Sequence, residues 1–154
     1  MKFWDASAII PLCLEEPWTT FLMQSLAEDG LMIVWWGSLV ECWFAFARLR
    51  REGLFDMRDE AQARAILTHL ARAWTEVLPS QAVRDHTAHT LQLHPLRAAD
   101  ALQLAAALVW VQGQSVGQPF VCLDHRLRAA AQREGFLLVP SPESLQAPTP
   151  PQRF

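Results

Sequence analysis

Four carboxylates, Asp5, Glu41, Asp100 and Asp124, stand beside sequence that offers them little ionic company. Asp5 follows the strand-like stretch 2–4. Glu41 lies three residues after Ser38, Asp100 heads the apolar stretch 96–108 (LRAADALQLAAAL), and Asp124 follows the apolar run 120–123. No charged side chain occurs between Asp100 and Asp124. An ionised carboxylate is costly to bury unless a cation, a metal or several donors compensate it. Three or four such groups around one cleft repel one another, and a divalent cation is the natural compensation. Hard oxygen ligands suit Mg²⁺ or Mn²⁺, which keep several waters and take only one or two carboxylates directly, leaving the other acids to hold the waters. Such a site performs phosphodiester hydrolysis, because the ion acidifies a bound water and stabilises charge growing on the phosphoryl oxygens.

Each acid also has a purely structural explanation. Aspartate at a strand-to-helix junction is a common N-cap, Ser38 and Glu41 have the spacing of a capping box, and acids in a first turn suit the helix dipole. Taken singly, each is explained at least as well by capping as by chemistry. The case for chemistry is joint: Asp5, Glu41 and Asp100 are each followed by dense apolar sequence without a nearby Lys or Arg.

The elements that must position these acids alternate between strands and helices. Residues 2–4 read as a first strand, 6–14 as a helix with a possible break at Pro11, 18–26 as a second helix closed by Asp29-Gly30, and 31–35 as a strand covered on both faces. Ser38 opens a helix that stops at Gly53, and 56–74 forms an amphipathic helix with Asp59, Glu60, Arg64 and Arg72 on its solvated side. A brief strand at 76–78 and a helix over 80–93 precede the central helix, in which Ala101, Leu104, Ala105, Leu108 and Val109 recur at helical spacing. Strand 120–123, helix 125–134 capped by Gly135, and strand 136–139 complete one domain over 1–139, followed by a Pro-rich flexible tail over 140–154. This pattern predicts an α/β fold around a parallel sheet, in which functional groups gather at the carboxyl ends of the strands.

Composition removes several function classes. The 154 residues are 51% hydrophobic, enough for one domain with a proper core, and a net charge of −3 leaves no wholesale basic surface for nucleic acid. Lys2 is the only lysine and tyrosine is absent, which excludes a Walker lysine, a Schiff-base lysine and a tyrosine nucleophile. Cys13, Cys42 and Cys122 are odd in number and lack C-x-x-C spacing, so reduced core thiols in a cytoplasmic protein are expected. An acid within the N-terminal apolar stretch argues against a signal peptide, and no apolar run approaches the length of a membrane span.

The strand-Asp-Ala-Ser at the N-terminus, the S-x-x-E at a helix head, LRAADALQLAAAL and the late FVCLDHRLRAAA with its following GF resemble the PIN-domain family, in particular its VapC-type toxin ribonucleases, over nearly the whole chain. The resemblance implies a three-layer sandwich, with a short parallel sheet between helices, that hydrolyses RNA with Mg²⁺ or Mn²⁺. It assigns Asp5, Glu41, Asp100 and Asp124 as the catalytic acids. Asp5 and Asp100 are metal ligands, Glu41 and Asp124 bind directly or through water, and Ser7 is a hydrogen-bonding helper. It further implies a homodimer and a small protein antitoxin, for which Trp43, Phe44 and Phe46 with Trp18 and Phe21 offer a surface, core packing being the alternative. The heavy pair Trp35-Trp36 departs from the family pattern and bears on the shape of the substrate groove.

Arg97 and Arg126 are candidates for binding a substrate phosphate, and Trp36 for stacking on a base. Arg48, Arg50 and Arg51 form the one dense basic run, which could track an RNA backbone but at the outer end of a helix is more often a solvated face. His86 and His89 lack further ligands nearby for zinc. An aspartyl phosphatase would want a second acid where Ser7 stands, and a phosphoreceiver a late lysine. The remaining alternative is a non-catalytic PIN-like module that binds RNA or protein.

Overall fold

Phe3 and Trp4 are neighbours on one strand yet belong to different cores, and this alternation organises the molecule. The computed structural model describes residues 1–146. Its strands are β1 (Lys2–Trp4), β2 (Met32–Trp35), β3 (Thr75–Val77), β4 (Pro119–Val121) and β5 (Leu137–Val139). Successive strand side chains point to opposite faces. Phe3, Ile33, Trp35 and Phe120 therefore enter one core, while Trp4, Met32, Val34 and Val121 enter the other.

Each face is covered by helices. The first core is closed by α5 (Gln81–Leu93), α6 (Ala98–Trp110) and α7 (His125–Arg133), through Val83, Leu104 and Leu127 among others. The second is closed by α1 (Ala6–Cys13), α2 (Thr19–Glu28), α3 (Ser38–Arg51) and α4 (Met57–Ala71), through Ile9, Leu22, Phe46 and Leu67. The fold is thus the anticipated α/β three-layer sandwich. β2 has no alternation of polarity because both its faces are buried.

All strands are parallel, in the order β3-β2-β1-β4-β5. The chain works outward from β1 to β3. It then crosses back through α5 and α6 to lay β4 on the other side of β1. The connections leaving β1 and β4 therefore diverge, which opens a crevice at the carboxyl ends of these two strands.

Several local expectations are corrected. Helix α1 runs through Pro11 rather than breaking there, and Pro11 offers its carbonyl to Thr19 Oγ1 at 2.7 Å. Glu60 is not on a solvated face: it is buried and accepts from Arg50 Nη1 at 2.9 Å and Arg64 Nε at 3.0 Å. That grip removes Arg50 from the supposed basic run, and Arg48 faces Glu52. Where a flexible tail was expected from 140, Arg128 Nη2 donates to Pro140 O at 2.8 Å and α8 (Pro142–Gln146) forms, with Ser141 Oγ accepting from Ser144 N. Residues 147–154 of that tail lie outside the described residues. No helix among the described residues is long and apolar enough to cross a membrane.

Candidate active site

The crevice between β1 and β4 is stitched at its floor by the residues that follow the two strands. Asp5 N donates to Val121 O at 3.0 Å, and Leu123 N donates to Ser7 Oγ at 2.9 Å. Ser7 in turn donates its hydroxyl to Asp5 Oδ2, which also accepts from Ser7 N at 3.0 Å and from Cys122 Sγ at 3.5 Å. One oxygen of Asp5 is thus fixed, as the N-cap of α1, by three donors. The described residues supply no hydrogen-bond donor to the other oxygen.

Asp124 repeats the arrangement on the other strand, capping α7 through Oδ1, which accepts from Leu127 N at 2.9 Å. For these two residues the capping explanation and the chemical one are compatible, because a carboxylate can cap with one oxygen and present the other. The loop carrying Asp124 is anchored by Arg128, whose buried guanidinium donates from Nη1 to Cys122 O at 2.8 Å.

The capping box expected of Ser38 and Glu41 does not form. Gly37 holds the N-cap position of α3, no side chain caps it, and Ser38 is already helical and fully buried. Both side chains are engaged instead by Gln103 of α6, whose Nε2 donates to Ser38 Oγ at 2.9 Å and to Glu41 Oε1 at 3.0 Å. Glu41 therefore has a partner that local spacing does not reveal. Local spacing gives Gln103 no prominence, although it is the one amide between Asp100 and Trp110 and lies a helical turn beyond Asp100 on the same face. Asp100, in the first turn of α6, makes no hydrogen bond or ion pair through its side chain among the described residues.

Electrostatically the four acids form one group. Burial pushes Asp5 up to about 6, against the pull of Ser7 and Cys122, and the charge of Asp100 adds to the rise. Burial also pushes Glu41 up to about 7, with Asp5 and Asp100 raising it further and Gln103 opposing them. Asp100 is raised by burial and then by Asp124, while Arg97 and Arg126 pull it down. Cys122 is held well above its usual range by burial, which keeps it a thiol donor toward Asp5. Arg97 and Arg126 are exposed and flank Asp100 without reaching ion-pair distance, a placement that leaves both able to meet an incoming anion.

The donor set bears on what the site can hold. Among the described residues, no three His, Cys, Asp or Glu side chains stand close enough to grip one ion together. None of the four acids has an ion pair among those residues. Mutually repelling carboxylates that keep unpartnered oxygens fit a hard cation held by one or two of them directly and by the rest through its waters. Among the described residues His86 and His89 join no metal-ligand group, and all three cysteines are buried and unpaired. Neither protein-family models nor the sequences of curated proteins give a match to this chain.

Proposed function

We propose that the protein is a metal-dependent endoribonuclease, the toxin of a toxin–antitoxin pair, acting from the crevice between β1 and β4. The observation that carries this reading is the repulsion that links Asp5, Glu41 and Asp124 to Asp100, offset only at Asp100 by Arg97 and Arg126, while none of the four acids has an ion pair among the described residues. Asp5 and Asp100 are the residues to hold Mg²⁺ or Mn²⁺, with Glu41 and Asp124 beside them. Bound there, such an ion supplies charge for the phosphoryl oxygens and an acidified water.

The chain's own residues do the positioning. Ser7 and Cys122 fix Asp5 through Oδ2 and so aim its other oxygen, and Gln103 does the same for Glu41 through Oε1. Glu41, pushed up to about 7, is suited to take a proton from an attacking water near neutral pH. Arg97 and Arg126 draw a phosphate of the RNA toward Asp100. Exposed Trp43 and Phe44 on α3 support a protein partner, either the antitoxin or a second copy in a homodimer. Buried unpaired thiols support a cytoplasmic location.

A non-catalytic binding module is the second reading, favoured by the absence of a tight ligand trio among the described residues and by that aromatic surface. Incubating single-stranded RNA with the purified protein separates the two. The ribonuclease reading expects cleavage with Mn²⁺ that stops in EDTA and in Asp100→Asn, and intact RNA throughout would leave the binding module.

A further inference from the structure

Beyond the carboxyl ends of β2 and β3 lies a cavity of about 420 Å³ that the acid cluster does not use. Trp35, Trp36, Pro79, Arg84 and Leu102 are among the residues that line it. The two indoles meet edge to face, with centroids 6.4 Å apart at 72°. Trp36 is 49% exposed, an unusual cost for the largest apolar side chain, and its backbone is pinned by a hydrogen bond from Trp36 N to Val77 O at 3.1 Å. Its ring lines the cavity in edge-to-face contact with Trp35.

Trp35 is 7% exposed. It packs so closely over Gly37 that a Cβ there would lie 2.4 Å from Nε1. Arg84 sits in the first turn of α5, where a cation opposes the helix dipole and an anion would be favoured. It makes no ion pair among the described residues, and that first turn holds no acid. An apolar cleft lined by an exposed indole and by an arginine without an ion pair among the described residues is complementary to a base joined to a phosphate.

We infer that this cavity receives one unstacked base of a single-stranded RNA against Trp36, with Arg84 on the adjoining phosphate. The inference rests on the ribonuclease reading for its connection to the acids. Leu102 of the pocket wall neighbours Gln103, which holds Glu41, and Asp100 is two residues earlier on the same helix. Trp36 leads directly into α3, which carries Glu41. An RNA strand along this edge of the sheet places one base in the cleft and a neighbouring phosphodiester at the acids.

The test is fluorescence anisotropy of a labelled, non-self-complementary decaribonucleotide titrated with the protein in EDTA, where no cleavage occurs. Trp36→Ala is expected to weaken binding roughly tenfold. Arg84→Ala is expected to weaken it and to reduce the slope of log affinity against log salt by about 0.7, the share of one phosphate on a single strand. Met57→Ala, an exposed methionine at the start of α4 away from the cavity, is expected to bind as the wild type does. Wild-type affinity in both Trp36→Ala and Arg84→Ala overturns the inference, as does an equal loss in Met57→Ala. A parallel cleavage assay keeps the two readings apart. Cleavage with unaltered binding by the pocket variants removes the pocket alone, while pocket-dependent binding without any cleavage removes the nuclease alone.

Discussion

Gln103 Nε2 donates to Glu41 Oε1 at 3.0 Å across 62 residues of chain, and the same nitrogen reaches Ser38 Oγ. The amide thereby ties α6, on one face of the sheet, to α3 on the other, directly beside the acids. Gln103→Leu removes the one donor that holds Glu41 and leaves the Ser38 hydroxyl buried without it. The expected outcome is a loss of about 1 kcal/mol in denaturant unfolding, because the cost of orphaning the Ser38 hydroxyl is offset in part by removal of Gln103 Oε1, which is buried without a partner among the described residues. RNA cleavage is expected to fall about 10- to 100-fold with little change in KM. Wild-type turnover in this variant would mean that Glu41 needs no positioning.

The raised Glu41 has a definite consequence for stability. Its folded value of about 7 lies above the ordinary 4.5, so between these pH values the folded state binds more protons than the unfolded one and stability falls as pH rises. Glu41→Gln removes this penalty and keeps an acceptor for Gln103. In metal-free protein it is expected to raise Tm by a few degrees at pH 7.5, and the gain is expected to disappear below pH 4.5. Thermal unfolding across that range checks it, and a gain independent of pH would contradict the account.

Asp124 separates capping from chemistry within one residue. Asparagine caps a helix about as well as aspartate, whereas alanine costs about 1 kcal/mol. Asp124→Asn is therefore expected to match the wild type in unfolding while losing most of its cleavage activity. Asp124→Ala is expected to lose both stability and activity. Full activity in the asparagine variant would reduce Asp124 to a cap.

Arg128 holds two buried carbonyls, those of Cys122 and Pro140, at 2.8 Å each. Arg128→Ala leaves both without this donor and loosens the loop that carries Asp124. A destabilisation of roughly 2 to 4 kcal/mol is expected by chemical denaturation, at the severe end for a single substitution. An effect within about 0.5 kcal/mol would show that solvent replaces the guanidinium.

The layered architecture was readable from strands too uniformly apolar to have a wet face and helices spaced between them, and two of the acids from their positions just past strand ends. What was not readable depends on partners distant in sequence. Ser38 and Glu41 have the spacing of a capping box, but Gln103 claims both side chains from another helix, and nothing within four residues reports that. Glu60 has the periodicity of a solvated position, yet Arg50 on the preceding helix joins Arg64 in covering it. Trp36 stood out as a candidate for stacking, but the cleft beside it was not legible, because its other walls come from α5 and α6.

The central claim is that acids far apart in the chain act as one site through a shared cation, and calorimetric titration with Mn²⁺ tests it most directly. One binding event in the wild type, lost in both Asp5→Asn and Asp100→Asn while each variant stays folded, is the predicted result. Undiminished Mn²⁺ binding in both variants, or none in the wild type, would contradict it.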